Sequence, residues 1–422
     1  MTIKMAIVRK LRRSSLRNRI RSAIRSKKFL SDWLLWLRLG ATSLGGPAAQ
    51  IATLEQECVE KRSWLSQEQF SRALGLCMFL PGPEAQQLVA WIAWKKGGWR
   101  SAVLATLFFV IPGLLCCAVL AFLYHQFGQR PLVGGALSGA RAAVAGIILV
   151  MAYRLFKTAL FDTPRRAVAG VTAIGMYYSA PFAFMAVAAG LYAWYIRPPD
   201  EEAVPETSEV LKSAAIRVLR FLIPVGAVFL ALWAIFGHDS GVVKLAEVSL
   251  IAVLTSFGGA YAAMGVWKAR TVETYGWFKE PVFGDALVVG EITPGPLLLA
   301  GSFIGCMAGY NGSLGMGGGW MAALVGLLVP AIFTFSCSTL ILLAAAPLAD
   351  EGVGDVRFHD VIGLVTAAAA GAVFWLGLSL LLSQMTLVFF LISATAGAAL
   401  YFKKTNILLL VALGAAAGWF AA

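Results

Sequence analysis

The sequence predicts an all-α integral membrane protein built from two inverted homologous repeats with broken helices. Three observations carry that expectation: the apolar composition, a self-match at a shift of 213 residues, and helix breakers midway along apolar segments. Of 422 residues, 59% are hydrophobic and 14% charged, where soluble domains carry about 25% charged residues. Mean hydropathy is +0.76. About a dozen apolar stretches approach the ~20 residues that cross a bilayer, among them 103–124, 132–150, 223–236 and 320–346.

The first element is a basic tail. Residues 1–28 hold eleven Lys or Arg and no acid, so the rest of the chain keeps only +2 of the +13 net charge. Val8, Leu11, Leu16, Ile20 and Ile24 recur among the arginines at near-helical spacing. That pattern fits an amphipathic helix on an anionic lipid surface in the cytoplasm. A solvated tail that sets topology is an equal alternative, and a mitochondrial transit peptide a third. Nucleic-acid binding is not expected of a tail joined directly to a membrane domain. The six cysteines form no C-x-x-C pair, and His125, His238 and His359 are scattered. No disulfide framework, metal site or other cofactor is therefore expected. Nor do paired carboxylates, a His cluster or a nucleophile motif point to an enzyme.

The repeat orders the remainder. Thr42–Pro83 set on Thr255–Pro296 gives 14 identities in 42 positions without a gap. They include Ser43/Ser256, Gly45/Gly258, Gly46/Gly259, Glu60/Glu273, Trp64/Trp277 and Phe70/Phe283, and end on Pro81-Gly82-Pro83 over Pro294-Gly295-Pro296. Shared hydrophobicity alone would not align these glycines and prolines. The expected domains are the tail 1–28, an N-terminal transporter repeat 29–197, a linker 198–240 with one extra membrane helix, and a C-terminal repeat 241–422. If every apolar segment crosses, the chain has about thirteen spans, some of them short or re-entrant, and the halves are inverted. Basic loops then fall inside: those with Lys95, Lys96 and Arg100, with Arg154 to Arg166, and with Lys268, Arg270 and Lys279. This puts the N-terminus in the cytoplasm and the 53–70 loop and C-terminus outside.

The breakers are the candidate site. Gly45-Gly46-Pro47 interrupts the segment 30–54, Pro81-Gly82-Pro83 the segment 73–94, and Gly258-Gly259 and Thr293-Pro294-Gly295-Pro296 occupy the equivalent places. Irregular backbone at membrane depth survives only where it lines a cavity or is buried in protein. Each break would begin a half-helix whose N-terminus, with ~+0.5 of charge, faces the midplane. Four such ends suit a small divalent oxyanion, and Ser43, Ser256 and Thr293 offer hydroxyls. The competing interpretation is close-packing glycines and simple proline kinks. Paired breaks in two repeats favour a transporter site.

Other intramembrane polar residues admit two interpretations each. Arg141 is either an anion ligand or a cation that snorkels or pairs with Glu84. Glu84, in the first turn after Pro83, either stabilises the helix end or contests the anion there and takes up a proton. Glu291 is similarly placed before its break. Gln86 and Gln87 donate to an oxyanion or bridge helices. The 55–62 charges fit a solvated amphipathic helix. Arg72 and Asp285 hold equivalent positions with opposite charge, their role open.

The stretches "LRLGATSLGGPAAQIATLEQECVEKRSWLSQEQF", "LPGPEAQQL", "TSFGGAYAAMGVW", "YGWF" and "GEITPGPLL" resemble the chromate ion transporter family in its long two-domain form. The resemblance implies an inner-membrane protein that exports chromate and confers chromate resistance, with sulfate as look-alike. It also implies two opposed halves and site motifs at Gly45-Gly46-Pro47, Pro81-Gly82-Pro83-Glu84, Gly258-Gly259 and Pro294-Gly295-Pro296. Leu44 and Gln50 depart from the Phe and His of many relatives, which removes the basis for a histidine proton relay at Gln50. The expectation is a secondary transporter, an antiporter if Glu84 or Glu291 exchanges protons. A sulfate or other oxyanion uptake carrier and an anion channel are the alternatives. A homodimer stays open.

Overall fold

The computed structural model describes residues 33–128, 130–196, 205–257, 259–346, 356–403 and 405–421. The expected tail helix over 1–28 lies outside them. All regular structure among the described residues is helical, as composition requires.

The first half begins with α1 (33–42) and α2 (Gly46–Glu55), which runs into a π-helical turn, Gln56–Lys61. Then come α3 (Gln67–Phe79), started by a Ser66/Gln69 capping box, and α4 (Glu84–Phe127). Gly97 and Gly98 are non-helical and divide α4 into 84–96 and 99–127. The half closes with α5 (Pro131–Ala159), α6 (Thr163–Tyr177) and α7 (Phe182–Ile196). After α8 (Pro205–Phe236) the pattern repeats: α9 (Gly241–Leu254), α10 (Ala260–Lys268), a π-helical turn Ala269–Thr274 and α11 (Glu280–Ile292). It ends with α12 (Leu299–Tyr310), α13 (Gly319–Ala345), α14 (Val356–Leu382), α15 (Leu387–Lys403) and α16 (Ile407–Ala421). Shifted by 213 residues, the two π-helical turns coincide end to end, as do α3 and α11. The repeat is thus a repeat of structure, down to an uncommon helical irregularity.

Among the described residues, four helices are long and apolar enough to cross a membrane: α4, α5, α13 and, from Asp360, α14. The helices flanking the breaks are not. At 1.5 Å per residue, the 10 residues of α2 and the 13 of α3 reach about half to two-thirds of a ~30 Å hydrocarbon core.

Those short helices double back. Trp36 near the start of α1 stacks on Trp64 beyond the π turn, at 6.0 Å between ring centroids. Arg38 reaches Glu57 across the same pair at 2.8 Å. Lys96, where the first part of α4 ends, lies over the Trp64 ring. So α1–α2 and α3–α4 are re-entrant hairpins whose open ends share one face. In the second half Lys244 at the start of α9 faces Tyr275, and Lys268 at the end of α10 bonds Glu280 at the start of α11 at 2.6 Å. The second part of α4 leaves the first face at Gly98 and ends beside the second hairpin pair, with His125 on Tyr310 and Phe122 on Trp320. The two sets of hairpins therefore enter from opposite ends.

This corrects the expectation that every apolar segment crosses. The 53–70 loop lies on the same face as Lys95 and Lys96, and Lys268, Arg270 and Lys279 on the other, so the two sets of basic residues do not share one side as the sequence-based assignment has them. The last turns of α16 pack on the first turns of α5, where Gly418 crowds Gly135 and Gly139, at the end of the molecule opposite Trp33. The 99–127 part of α4 packs antiparallel to α13 with its other face exposed, and α5 packs against α14, α15 and α16 on one flank.

Candidate functional site

The four breaks meet in two pairs, each pair joining the halves. Every described break turns on a glycine at positive φ: Gly45 (95°) and Gly46 (80°), Gly82 (134°), Gly259 (111°) and Gly295 (97°). Only glycine holds such angles without strain, which gives these positions a backbone reason for their identity whatever they bind. Gly258 lies outside the described residues. The half-helices start as expected, with Pro47 in the first turn of α2, Pro83 before Glu84, and Gly259 before Ala260. The fourth starts later, at Leu299, after a turn that includes Pro296.

In the first pair the Gly295 N–H donates to the Ser43 carbonyl at 3.0 Å. Gln50, buried in α2, donates to the Gly295 carbonyl at 2.7 Å. Around it Gly113 of α4 approaches so closely that a Cβ there would lie 2.1 Å from the Pro294 carbonyl. In the second pair, Glu84 brings Oε1 within 3.6 Å of where a Gly259 Cβ would be. Glu84 thus stands at the N-terminus of α10, on the opposite half, rather than only at its own helix end. On the far side of Gly82, the Ser338 hydroxyl of α13 would touch a Cβ. Ser338 Oγ and Gln87 Oε1 are buried with no hydrogen-bond partner among the described residues, and Gln87 Nε2 donates to the Pro81 carbonyl at 2.9 Å.

The proposed hydroxyl donors are engaged otherwise. Ser43 donates to Leu39 O at 2.6 Å, Ser256 to Val253 O at 2.7 Å and Thr293 to Gly290 O at 3.3 Å. Each caps the entering helix, and would have to rotate to meet an anion. Gln86 takes the helix-bridging alternative: its amide donates to Thr106 and Thr339, at 3.1 and 2.9 Å. Glu291 accepts from Tyr261 Oη.

Arg141 is not brought to the breaks, and its partner is not Glu84. Its guanidinium bonds Asp285 Oδ1 at 3.0 Å and the Pro281 carbonyl at 3.3 Å, while Tyr124 donates to Asp285 Oδ2 at 2.8 Å. Asp285 precedes Thr293 by eight residues, about 12 Å of helix. Gly284 leaves room for the arginine stem, since a Cβ there would lie 2.7 Å from Arg141 Cδ. The triad joins α4 and α5 of one half to α11 of the other, which answers the open question about Asp285. Its repeat partner Arg72 pairs with Glu68 one turn away. Of the 55–62 charges Glu60, Lys61 and Arg62 are exposed, but Glu57 is 8% exposed and gathers Arg38, Lys61 and Arg62. Among the described residues no group of His, Cys, Asp and Glu is arranged to hold a metal ion.

Sequence reasoning does not foresee the contacts that Gln50, Tyr124, Tyr261 and Ser338 make around the breaks and the Arg141 pair. None carries a local motif, and Gln50 stands out only as a departure from relatives. The repeat itself is what comparison with known proteins recovers. The chromate transporter family matches residues 32–194 and again 243–419. The chain belongs to the chromate transporter family. A chromate transport protein from Pseudomonas aeruginosa is 30% identical over 340 residues, covering 80% of this chain and 77% of its own. One from Cupriavidus metallidurans is 26% identical over 391 residues, 91% of each chain. An uncharacterized transporter of Bacillus subtilis, YwrA, aligns over 158 residues at 29% identity, which is 89% of it but 36% of this chain. That relative is about one repeat long. No solved structure matches. The relatives are transporters by name, and membership of their family fits a membrane transport protein.

Proposed function

We propose that this protein is a secondary transporter for chromate, a sulfate-like tetrahedral dianion, working by alternating access around the paired breaks. The carrying observation is that the first break of each half meets the second break of the other half, Ser43 with Gly295 and Glu84 beside Gly259. Half-helix N-termini from two repeats converging near the midplane supply positive potential where a dianion needs it. The names of the relatives favour chromate over other oxyanions. Site residues under this reading are Gly45, Gly46, Pro47, Pro81, Gly82, Pro83, Gly258, Gly259, Pro294, Gly295 and Pro296, with Ser43, Ser256 and Thr293 able to rotate in.

The functional domains under this reading are the repeats 29–197 and 241–422 about a linker 198–240. The face bearing Arg38, Lys61, Arg62, Lys95, Lys96, Arg100, Arg154, Lys157, Arg165 and Arg166 is the more basic and takes the cytoplasmic side of an inner membrane. That leaves the C-terminus outside. Export of a dianion from a negative-inside cell is favoured by about 4.6 kcal/mol per 100 mV, twice the value for one charge. Efflux therefore needs no further coupling, and Glu84 and Glu291 are the groups for proton exchange if it occurs. Reconstitution in liposomes tests the reading: chromate, sulfate, molybdate and phosphate are offered with and without a pH gradient. Chromate flux that sulfate inhibits is expected. No flux of any oxyanion through correctly inserted protein would refute it.

A further inference from the structure

We infer that the two pairs of breaks have different jobs: the Ser43/Gly295 pair is a fixed clasp, and the oxyanion binds at the Gly82/Gly259 pair with the Ser338 hydroxyl as a ligand. The inference rests on the transporter reading above and locates its site. The sequence treats the four breaks as equivalent, but their hydrogen bonds differ. At the clasp the Gly295 N–H is spent on Ser43, and the Gly295 carbonyl on Gln50. Gly113 closes on the Pro294 carbonyl, and Phe109 on Gly40, with no room for a Cβ at either glycine, Gly113 or Gly40. Polar groups satisfied this way gain nothing from an incoming anion.

The other pair is unfinished. Ser338 is 0% exposed and its hydroxyl has no partner among the described residues, although a helical serine ordinarily donates back to the carbonyl one turn before. It points at Gly82, where a Cβ would lie 2.3 Å from Oγ. The helix that follows Gly82 and Pro83 is thirteen residues long before its kink, and its first N–H groups have no carbonyl partner within the helix. Beyond it, the carboxylate of Glu84 stands at the N-terminus of α10. A carboxylate in that place is itself an acceptor for helix N–H groups, the same chemistry a tetrahedral oxyanion brings. An anion arriving here accepts hydrogen bonds from the Ser338 hydroxyl, from the N–H groups after Pro83 and, as Glu84 turns away, from those of α10. Asymmetry is built in, because Ser338 comes from α13 and the clasp is lined instead by Gly113 and Phe109 of α4.

The test uses purified full-length protein, with chromate and sulfate as probes in separate titrations, and melting temperatures on the same samples. Ser338→Ala is expected to raise the dissociation constant about tenfold or more, the effect of losing one hydrogen bond to a charged group. The empty protein should melt no lower, and even higher, since an unpaired buried hydroxyl has been removed. Ser338→Thr should keep most of the affinity. Gln50→Leu should lower the melting temperature and leave the dissociation constant within about twofold, the clasp being remote from the anion's hydrogen bonds. Unchanged binding in Ser338→Ala, or lost binding in a folded Gln50→Leu, would overturn the assignment. If the wild-type protein binds neither probe, the transporter reading itself fails, which a separate wild-type titration reveals first.

Discussion

The Lys96 ammonium lies 2.8 Å from the centroid of the Trp64 ring, tying the turn between α2 and α3 to the kink inside α4. Two side chains in contact cannot lie on opposite sides of a bilayer. The 53–70 loop and the Lys95–Arg100 turn must therefore be labelled together, and the 266–283 loop from the other side. Single cysteines at Glu60, Arg100 and Glu273, treated with an impermeant thiol reagent in intact cells and in inverted vesicles, check this. Glu60 and Arg100 should react only in inverted vesicles and Glu273 only in cells. Opposite reactivity of Glu60 and Arg100 would refute the hairpins.

Arg141 and Asp285 predict a stability effect rather than a binding one. Removing one member of a buried ion pair strands the other and costs about 3–5 kcal/mol. Asp285→Ala is thus expected to lower the melting temperature sharply, and Arg141→Gln likewise. Tyr124→Phe, which removes one of two bonds to Asp285, should do less. The exchange Arg141→Asp with Asp285→Arg should recover part of the loss. A chromate dissociation constant that moves in Arg141→Gln while the melting temperature does not would return Arg141 to the anion site.

Much of this was legible in the sequence because glycines, prolines and repeat register report backbone. The positive φ of Gly46 and Gly259, and of Gly82 and Gly295, is a demand only glycine meets cheaply, so the breaks stand out at matched positions. Hairpins against spans were not legible. A segment broken at its middle has the same hydropathy whether its second half goes on or turns back, and only contacts such as Trp36 with Trp64 decide. Arg141 illustrates a second limit: an intramembrane charge announces that it needs a partner, but its partner is 144 residues away. The helix-breaking motifs also say nothing of which hydrogen bonds are already made. That is why the four breaks look equivalent until Gln50 and Ser338 are located.

Glu57 gives the protein an acid-sensitive corner at the rim of the first hairpin. The Lys61 hydrogen bond, then the charges of Arg38 and Arg62, hold its carboxyl below the usual range against the opposing effect of burial. A depressed folded pKa adds stability above the unfolded value, near 4.5, and that stability is lost as pH falls through the folded value. Melting temperature should therefore drop below about pH 4.5 in the wild type more steeply than in Glu57→Gln. At pH 7 Glu57→Gln should be the less stable of the two. Parallel pH curves would show that the cluster is too solvated to matter.

The contact between α12 and α13 rests on a ladder of glycines. Gly301, Gly305 and Gly309 recur at intervals of four on α12, the small-residue spacing that lets membrane helices approach closely. Gly301 faces the Trp267 side chain of α10, and Gly305 and Gly309 meet a matching backbone surface on α13. A Cβ on Gly305 would lie 2.1 Å from the Gly326 carbonyl, one on Gly326 would lie 1.9 Å from that of Gly305, and one on Gly309 would lie 2.1 Å from the Ala322 carbonyl. Backbone cannot yield as a flexible side chain can, so Gly305→Ala must push the helices apart and cost about 1–3 kcal/mol of packing. Because α12 begins at the Gly295 clasp and α13 carries Ser338, the separation should also weaken chromate binding. Gly170 of α6 is the control. It sits mid-helix, where an added Cβ would meet no described atom within 4 Å, and its φ is not positive. Gly170→Ala therefore relieves the entropy of a helical glycine and should stabilise by about 0.4–1 kcal/mol. The two substitutions are chemically identical and opposite in expected sign. Melting both variants beside the wild type decides the matter: equal shifts would mean that α12 and α13 are not in close contact.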